Sequence, residues 1–117
     1  MVKQIIPRQP KPRKVIISTE FVISLARVKD YGEELFGREV SDKFVREIRQ
    51  KVSLLAKQPD ANPLSRFIES TKKKTYRNII HKRYCVLYSV TVFTIDIIDI
   101  YHSARSPEFI KELLPNH

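Results

Sequence analysis

The apolar positions change period once along the chain. Val15-Ile16-Ile17 is a short continuous apolar run and predicts a first strand. Ser18 or Thr19 then offers an N-cap hydroxyl, with Glu20 placed for the first turn of a helix. Phe21, Leu25, Val28 and Leu35 follow at helical spacing, which predicts a helix over 20–36 that Gly37 stops. Val40, Phe44, Ile48, Val52 and Leu55 repeat the spacing and predict a second helix over 39–57. Lys57-Gln58-Pro59-Asp60 ends it, because proline cannot continue the hydrogen-bond ladder. Two amphipathic helices with so short a link form an antiparallel hairpin. Residues 58–71 read as loop. Beyond them Lys74–Ile80, Tyr84–Thr91 and Phe93–His102 are rich in Tyr, Val, Ile, Thr and Phe and read as strands. The breaks at His81-Lys82 and Thr91-Val92 are long enough only for hairpins, so an antiparallel meander is expected. Pro107 marks a terminus, and Glu108–Leu114 can form a short last helix. The order β-α-α-β-β-β predicts an α+β fold, with the helical hairpin on one face of a small, mostly antiparallel sheet. The other face is then expected to be open.

Length and composition narrow the function. The 117 residues suit one domain of ordinary polarity. Only two glycines are present, and neither has a second nearby, which excludes dinucleotide and P-loop fingerprints. Residues 1–14 hold three prolines and five basic residues with no acid, and read as an extended basic arm ahead of a domain over 15–117. The lone cysteine, Cys85, excludes an internal disulfide and a cysteine-based zinc cage. No apolar stretch reaches the ~20 residues of a membrane span, and the N-terminus shows no secretory h-region. A cytoplasmic protein without membrane association is expected.

Charge changes the picture most. Lys and Arg total 22 against 13 Asp and Glu, a net charge of +9. Such a chain calls for an anionic partner. The excess is concentrated. No acid occurs from Ser70 to Ile95, which holds Lys72, Lys73, Lys74, Arg77, Lys82 and Arg83. With the arm, these two segments carry eleven of the 22 cations. Tyr76, Tyr84 and Tyr88 lie among them, a mixture that suits phosphate neutralisation and base stacking, or an acidic protein. The plainer reading is a solvated sheet edge with packed tyrosines.

Candidates for catalysis are few. Asp96 and Asp99 are three apart in a strand and point to opposite faces, so they are no carboxylate pair. His81 reads as a turn residue and His102 as a packed or capping one. Cys85 reads as a small hydrophobe. No metal-ligand spacing occurs, and no metal or organic cofactor is expected. Arg105 follows the last strand directly, where its guanidinium can reach a phosphate or carboxylate across an open sheet face.

Three segments together resemble the RelE/ParE toxin superfamily over residues 15–110. They are Leu54-Leu55-Ala56-Lys57-Gln58-Pro59, the middle strand Arg83-Tyr84-Cys85-Val86-Leu87-Tyr88-Ser89-Val90, and the ending Ile98-Asp99-Ile100-Tyr101-His102-Ser103-Ala104-Arg105-Ser106-Pro107. The resemblance implies the growth-inhibiting, plasmid-stabilising toxin of a bacterial type II toxin–antitoxin pair. Its partner would be a cognate acidic antitoxin, lying along the apolar helix surface or added to a sheet edge. RelE-like members cleave mRNA on the ribosome. For that activity the resemblance implies Arg105, with Arg77 or Lys74 near the basic positions of the preceding strand and His81 and His102 as further candidates. Two departures count against it. Cys85 stands where RelE-like enzymes carry an arginine, and no tyrosine follows Arg105. ParE-like members lack the nuclease set and poison DNA gyrase, and the strand exit at His102–Pro107 resembles theirs more closely. The ParE-like branch is therefore favoured. The anion-binding candidates are Lys72, Lys73, Lys74, Arg77, Lys82, Arg83 and Arg105.

Overall fold

The computed structural model describes residues 13–115. The elements are β1 (Lys14–Ile17), α1 (Thr19–Phe36), α2 (Arg38–Leu54), β2 (Thr75–His81), β3 (Tyr84–Val90), β4 (Thr94–His102) and α3 (Pro107–Glu112). The sheet order is β1-β4-β3-β2. β1 runs parallel to β4, and the other pairs are antiparallel. The α+β class and the element order are those expected from the pattern. Of the expected basic arm, residues 1–12 lie outside the described residues, and Lys14 already belongs to β1.

Local chemistry sets the boundaries. Ser18 caps α1, its Oγ accepting from the Phe21 N–H at 3.0 Å. The same hydroxyl donates to the Ile98 carbonyl at 2.6 Å, and the Ser18 N–H donates to the Ile97 carbonyl at 3.1 Å. The Ser18 N–H continues the parallel β1–β4 ladder past Ile17, beside a bulge in β4 where Leu87 pairs with Asp99 and Tyr88 with Ile97, leaving Ile98 extra. Gly37 joins the helices at φ +90°, a backbone state that a side chain would strain. α2 stops at Leu54, earlier than the periodicity suggests, because the Leu55 N–H turns to the Val52 carbonyl at 3.2 Å. The β2–β3 turn is Lys82-Arg83, and Lys82 takes the left-handed conformation that asparagine or glycine would occupy more easily. α3 starts one residue early, with Pro107 at its first turn and the Ser106 hydroxyl accepting from the Phe109 N–H at 3.2 Å.

Both faces of the sheet are buried, contrary to the expectation of one open face. The helical hairpin covers the first, where Ile48, Leu55, Val86, Tyr88, Ile95 and Ile97 have no more than 1% exposure. On the second, Cys85, Leu87, Ile98 and Tyr101 pack against Ile68 from the long loop and Ile110 from α3. The middle strand therefore shows no alternation: after Tyr84 every residue of β3 is buried. A strand buried on both faces needs apolar residues at consecutive positions, which is how Cys85-Val86-Leu87-Tyr88 reads.

Candidate functional site

The candidates taken from the sequence do not converge. Arg77 shares the helix-facing side of β2 with buried Ile79, and its side chain is committed to the fold. Its Nη1 donates to the Asn62 carbonyl at 2.6 Å and the Asp60 carbonyl at 3.3 Å, and its Nε lies 3.6 Å from the Asp60 carboxylate. Lys74 precedes β2, is exposed, and lines a groove on the second face with Tyr76, Ser89 and Asp96. Asp99 follows the β4 bulge and lies beside Ser24 and Arg27 of α1.

His81 is not a turn residue. It ends β2 and is buried against α2, its ring 5.3 Å from Phe44 and its Nε2 3.6 Å from Glu47 Oε2. Burial holds its pKa below the usual range, and Lys51 adds to this against an upward pull from Glu47. Tyr88 is no stacking platform either. It is fully buried, its hydroxyl donating to the Pro59 carbonyl at 3.0 Å and accepting from Asn62 Nδ2 at 3.1 Å. Burial pushes the Cys85 thiol up, which suppresses the thiolate a nucleophile needs.

Two candidates do share a groove. It has a volume of about 600 Å³ and is lined by Arg27, Tyr31, Tyr84, Asp99, His102 and Arg105 among others. The His102 ring meets Tyr84 edge-on at 5.4 Å, and its Nδ1 accepts from the Ala104 N–H at 3.0 Å. That bond orients the ring and leaves Nε2 as the nitrogen not engaged by the backbone. Arg105 is exposed and lies over the Phe109 ring at 4.5 Å, so it does not reach across the sheet. Asp99, at the groove floor, is held above the usual carboxylate range by burial, with opposing pulls from Ser24 and the Ile100 N–H. Tyr31 and Tyr84 continue into a second groove of about 340 Å³, walled by Phe36, Val40 and Phe44 and rimmed by Lys82 and Arg83.

The pair of grooves can bind an anionic, partly apolar segment. Phosphodiester cleavage needs a base, an acid and cations around one phosphate. Of the five nuclease candidates from the sequence, His102 and Arg105 line the first groove, while Lys74, Arg77 and His81 do not. Lys72 and Lys73 stand exposed at the far end of the sheet, apart from both grooves. The sequence reading missed Arg27 and Tyr31. A signal was present: Tyr31, Leu35, Phe36 and Val40 put more apolar surface around the helix junction than one core stripe needs, and all four are exposed. Among the described residues no three His, Cys, Asp or Glu side chains gather to hold a metal, and no helix is long and apolar enough to cross a membrane.

The fold is similar to known ones. A chain of the chromosomal ParDE TA system from P. aeruginosa superposes with a TM-score of 0.64 at 18% identity, covering 79% of this chain and 97% of that one. A chain of the archaeal RelE-RelB complex from Pyrococcus horikoshii OT3 gives 0.59 at 17% identity, covering 81% and 99%. No curated protein sequence matches. The family model described as the ParE toxin of the type II toxin-antitoxin system, parDE, matches residues 15–107, so the chain belongs to the ParE toxin family.

Proposed function

We propose that this chain is the toxin of a type II toxin–antitoxin pair and acts by inhibiting DNA gyrase. The observation that carries the choice of target is the dispersal of the nuclease candidates. Arg77 is tied to loop carbonyls, His81 is buried against Glu47, and Lys74 belongs to the second face. Cys85 occupies the position of the missing arginine and is itself buried. A toxin without an assembled nuclease acts by binding, and the ParE family membership fits that mode. A cognate acidic antitoxin suits the groove walled by Phe36, Val40 and Phe44, whose rim offers Lys82 and Arg83 to carboxylates. The action takes place in the cytoplasm, where gyrase is.

The test is a supercoiling assay with purified gyrase, plasmid and antitoxin-free toxin. Dose-dependent loss of supercoiling or trapping of cleaved DNA is expected. Folded toxin that arrests growth yet leaves gyrase untouched would overturn the proposal. The second reading, ribosome-dependent mRNA cleavage, is favoured by one observation: His102 and Arg105 line one groove. It predicts that Arg105→Ala lowers RNA cleavage by roughly 100-fold or more, the usual effect of removing one electrostatic contact to a transition state.

A further inference from the structure

Strands β1, β2 and β4 begin, and β3 ends, at the same end of the sheet. The fold thus brings to one end the last cations of the first acid-free stretch and the first cations of the second. Arg13 and Lys14 lead into β1 on one edge, and Lys72-Lys73-Lys74 lead into β2 on the other. Between them lies the β3–β4 turn. Its Val92 and Phe93 are 73% and 79% exposed, more than any other large hydrophobic among the described residues.

This turn is braced. The Thr91 N–H donates to the Thr94 carbonyl at 2.9 Å, and Thr91 Oγ1 accepts from the N–H groups of Phe93 at 3.2 Å and Thr94 at 3.1 Å. The Phe93 carbonyl accepts from the Lys14 N–H at 3.4 Å, which ties the tip to β1. The approach to β2 is folded by a bond from the Thr71 N–H to the Lys74 carbonyl at 2.8 Å. Lys14, Lys72, Lys73 and Lys74 are exposed, and among the described residues none makes an ion pair. Asp96, two residues into β4, accepts from Thr94 Oγ1 at 3.1 Å.

We propose that this end of the sheet binds duplex DNA, with Phe93 and Val92 as an apolar wedge between base pairs and the flanking lysines on the phosphates. Three strand spacings put the edge cations about 14 Å apart, on the scale of a DNA groove. A wedge needs only one or two apolar side chains to unstack a step, whereas cations hold the backbone on either side. Membrane attachment calls for a much larger apolar face than two residues. Duplex RNA fits less well, because its major groove is too narrow for side chains and its minor groove is shallow. The inference does not depend on gyrase being the target, since DNA alone is the ligand.

The experiment uses the full-length, antitoxin-free protein and a short DNA duplex with 2-aminopurine at a TA step. Anisotropy reads binding, and 2-aminopurine fluorescence reads unstacking. Salt-dependent binding with a rise in fluorescence is expected. Phe93→Ala should remove the rise while leaving the salt dependence in place. Lys14→Gln combined with Lys73→Gln should reduce the slope of log affinity against log salt by about 1.8, or about 0.9 for each lost phosphate contact. All three side chains are exposed, and unchanged circular dichroism would confirm folding. A fluorescence rise that survives Phe93→Ala overturns the wedge. Equal response to duplex RNA, or Phe93-dependent binding to phosphatidylserine vesicles without binding to DNA, overturns the DNA assignment.

Discussion

The covered middle of the sheet and its lysine-rich end use the same residue types in opposite ways. Around Tyr88, Arg77 and His81, aromatic rings and cations lie against the helices or the long loop. Tyr88 is fully buried with its hydroxyl bonded on both sides, and Arg77 fills loop carbonyls. At the other region Phe93 is exposed, and its neighbouring lysines make no ion pairs among the described residues. In the first region the Tyr88 hydroxyl and Arg77 Nη1 are hydrogen-bonded inside the fold, and Arg77 Nε and His81 Nε2 each face a carboxylate at 3.6 Å, so these groups hold structure. In the second the cations remain available to a partner outside the fold. Residue type alone therefore does not separate a binding cation from a structural one; the state of its hydrogen bonds does.

That contrast can be broken by substitution. Tyr88→Ala should have the largest effect, lowering stability by about 3–5 kcal/mol, because it leaves a cavity at a fully buried ring. Denaturant unfolding measures it, and a loss below about 1 kcal/mol would remove Tyr88 from the core. Arg77→Ala should cost about 1–3 kcal/mol, since it strips the half-buried Asn62 carbonyl of a charged donor. If it leaves stability unchanged, Arg77 returns to the pool of functional cations.

His81 gives a smaller, pH-dependent effect. Its folded pKa lies below the unfolded value of 6.5, so the folded state resists protonation. The stability it contributes is full above that value and falls as pH drops through it towards the folded pKa. Thermal unfolding should show a midpoint falling as pH drops below about 6.5, flattened in His81→Phe. An unchanged profile in that variant would assign the titration elsewhere. Asp99 has the opposite sign at lower pH: its raised pKa favours the folded state when the carboxyl is protonated, and that contribution is lost as pH rises.

The helices were legible because their apolar spacing and end signals agree. Ser18 and Gly37 mark the termini where the structure has them. The strands were legible from composition, and the tight links between them left only a meander. His81 was misread because nothing local distinguishes the last residue of a strand from the first of a turn. Arg105 was assigned to an open face that α3 and Ile68 in fact cover. A six-residue helix contributes too little periodicity to announce which surface it will bury.

The sequence by itself determined the element order, the α+β class, the charge excess and its confinement to two stretches. These follow from local propensity and counting, which need no knowledge of distant contacts. Only the tertiary structure decided which cations are free. Arg77 meets Asp60 and Asn62 through a loop, Tyr88 meets Pro59, and Lys14 meets the turn at Phe93 through a parallel strand pair. Each of those partnerships joins residues far apart along the chain. Hydrogen bonding and burial act on distance in space, which becomes defined only once the sheet has closed with β1 beside β4.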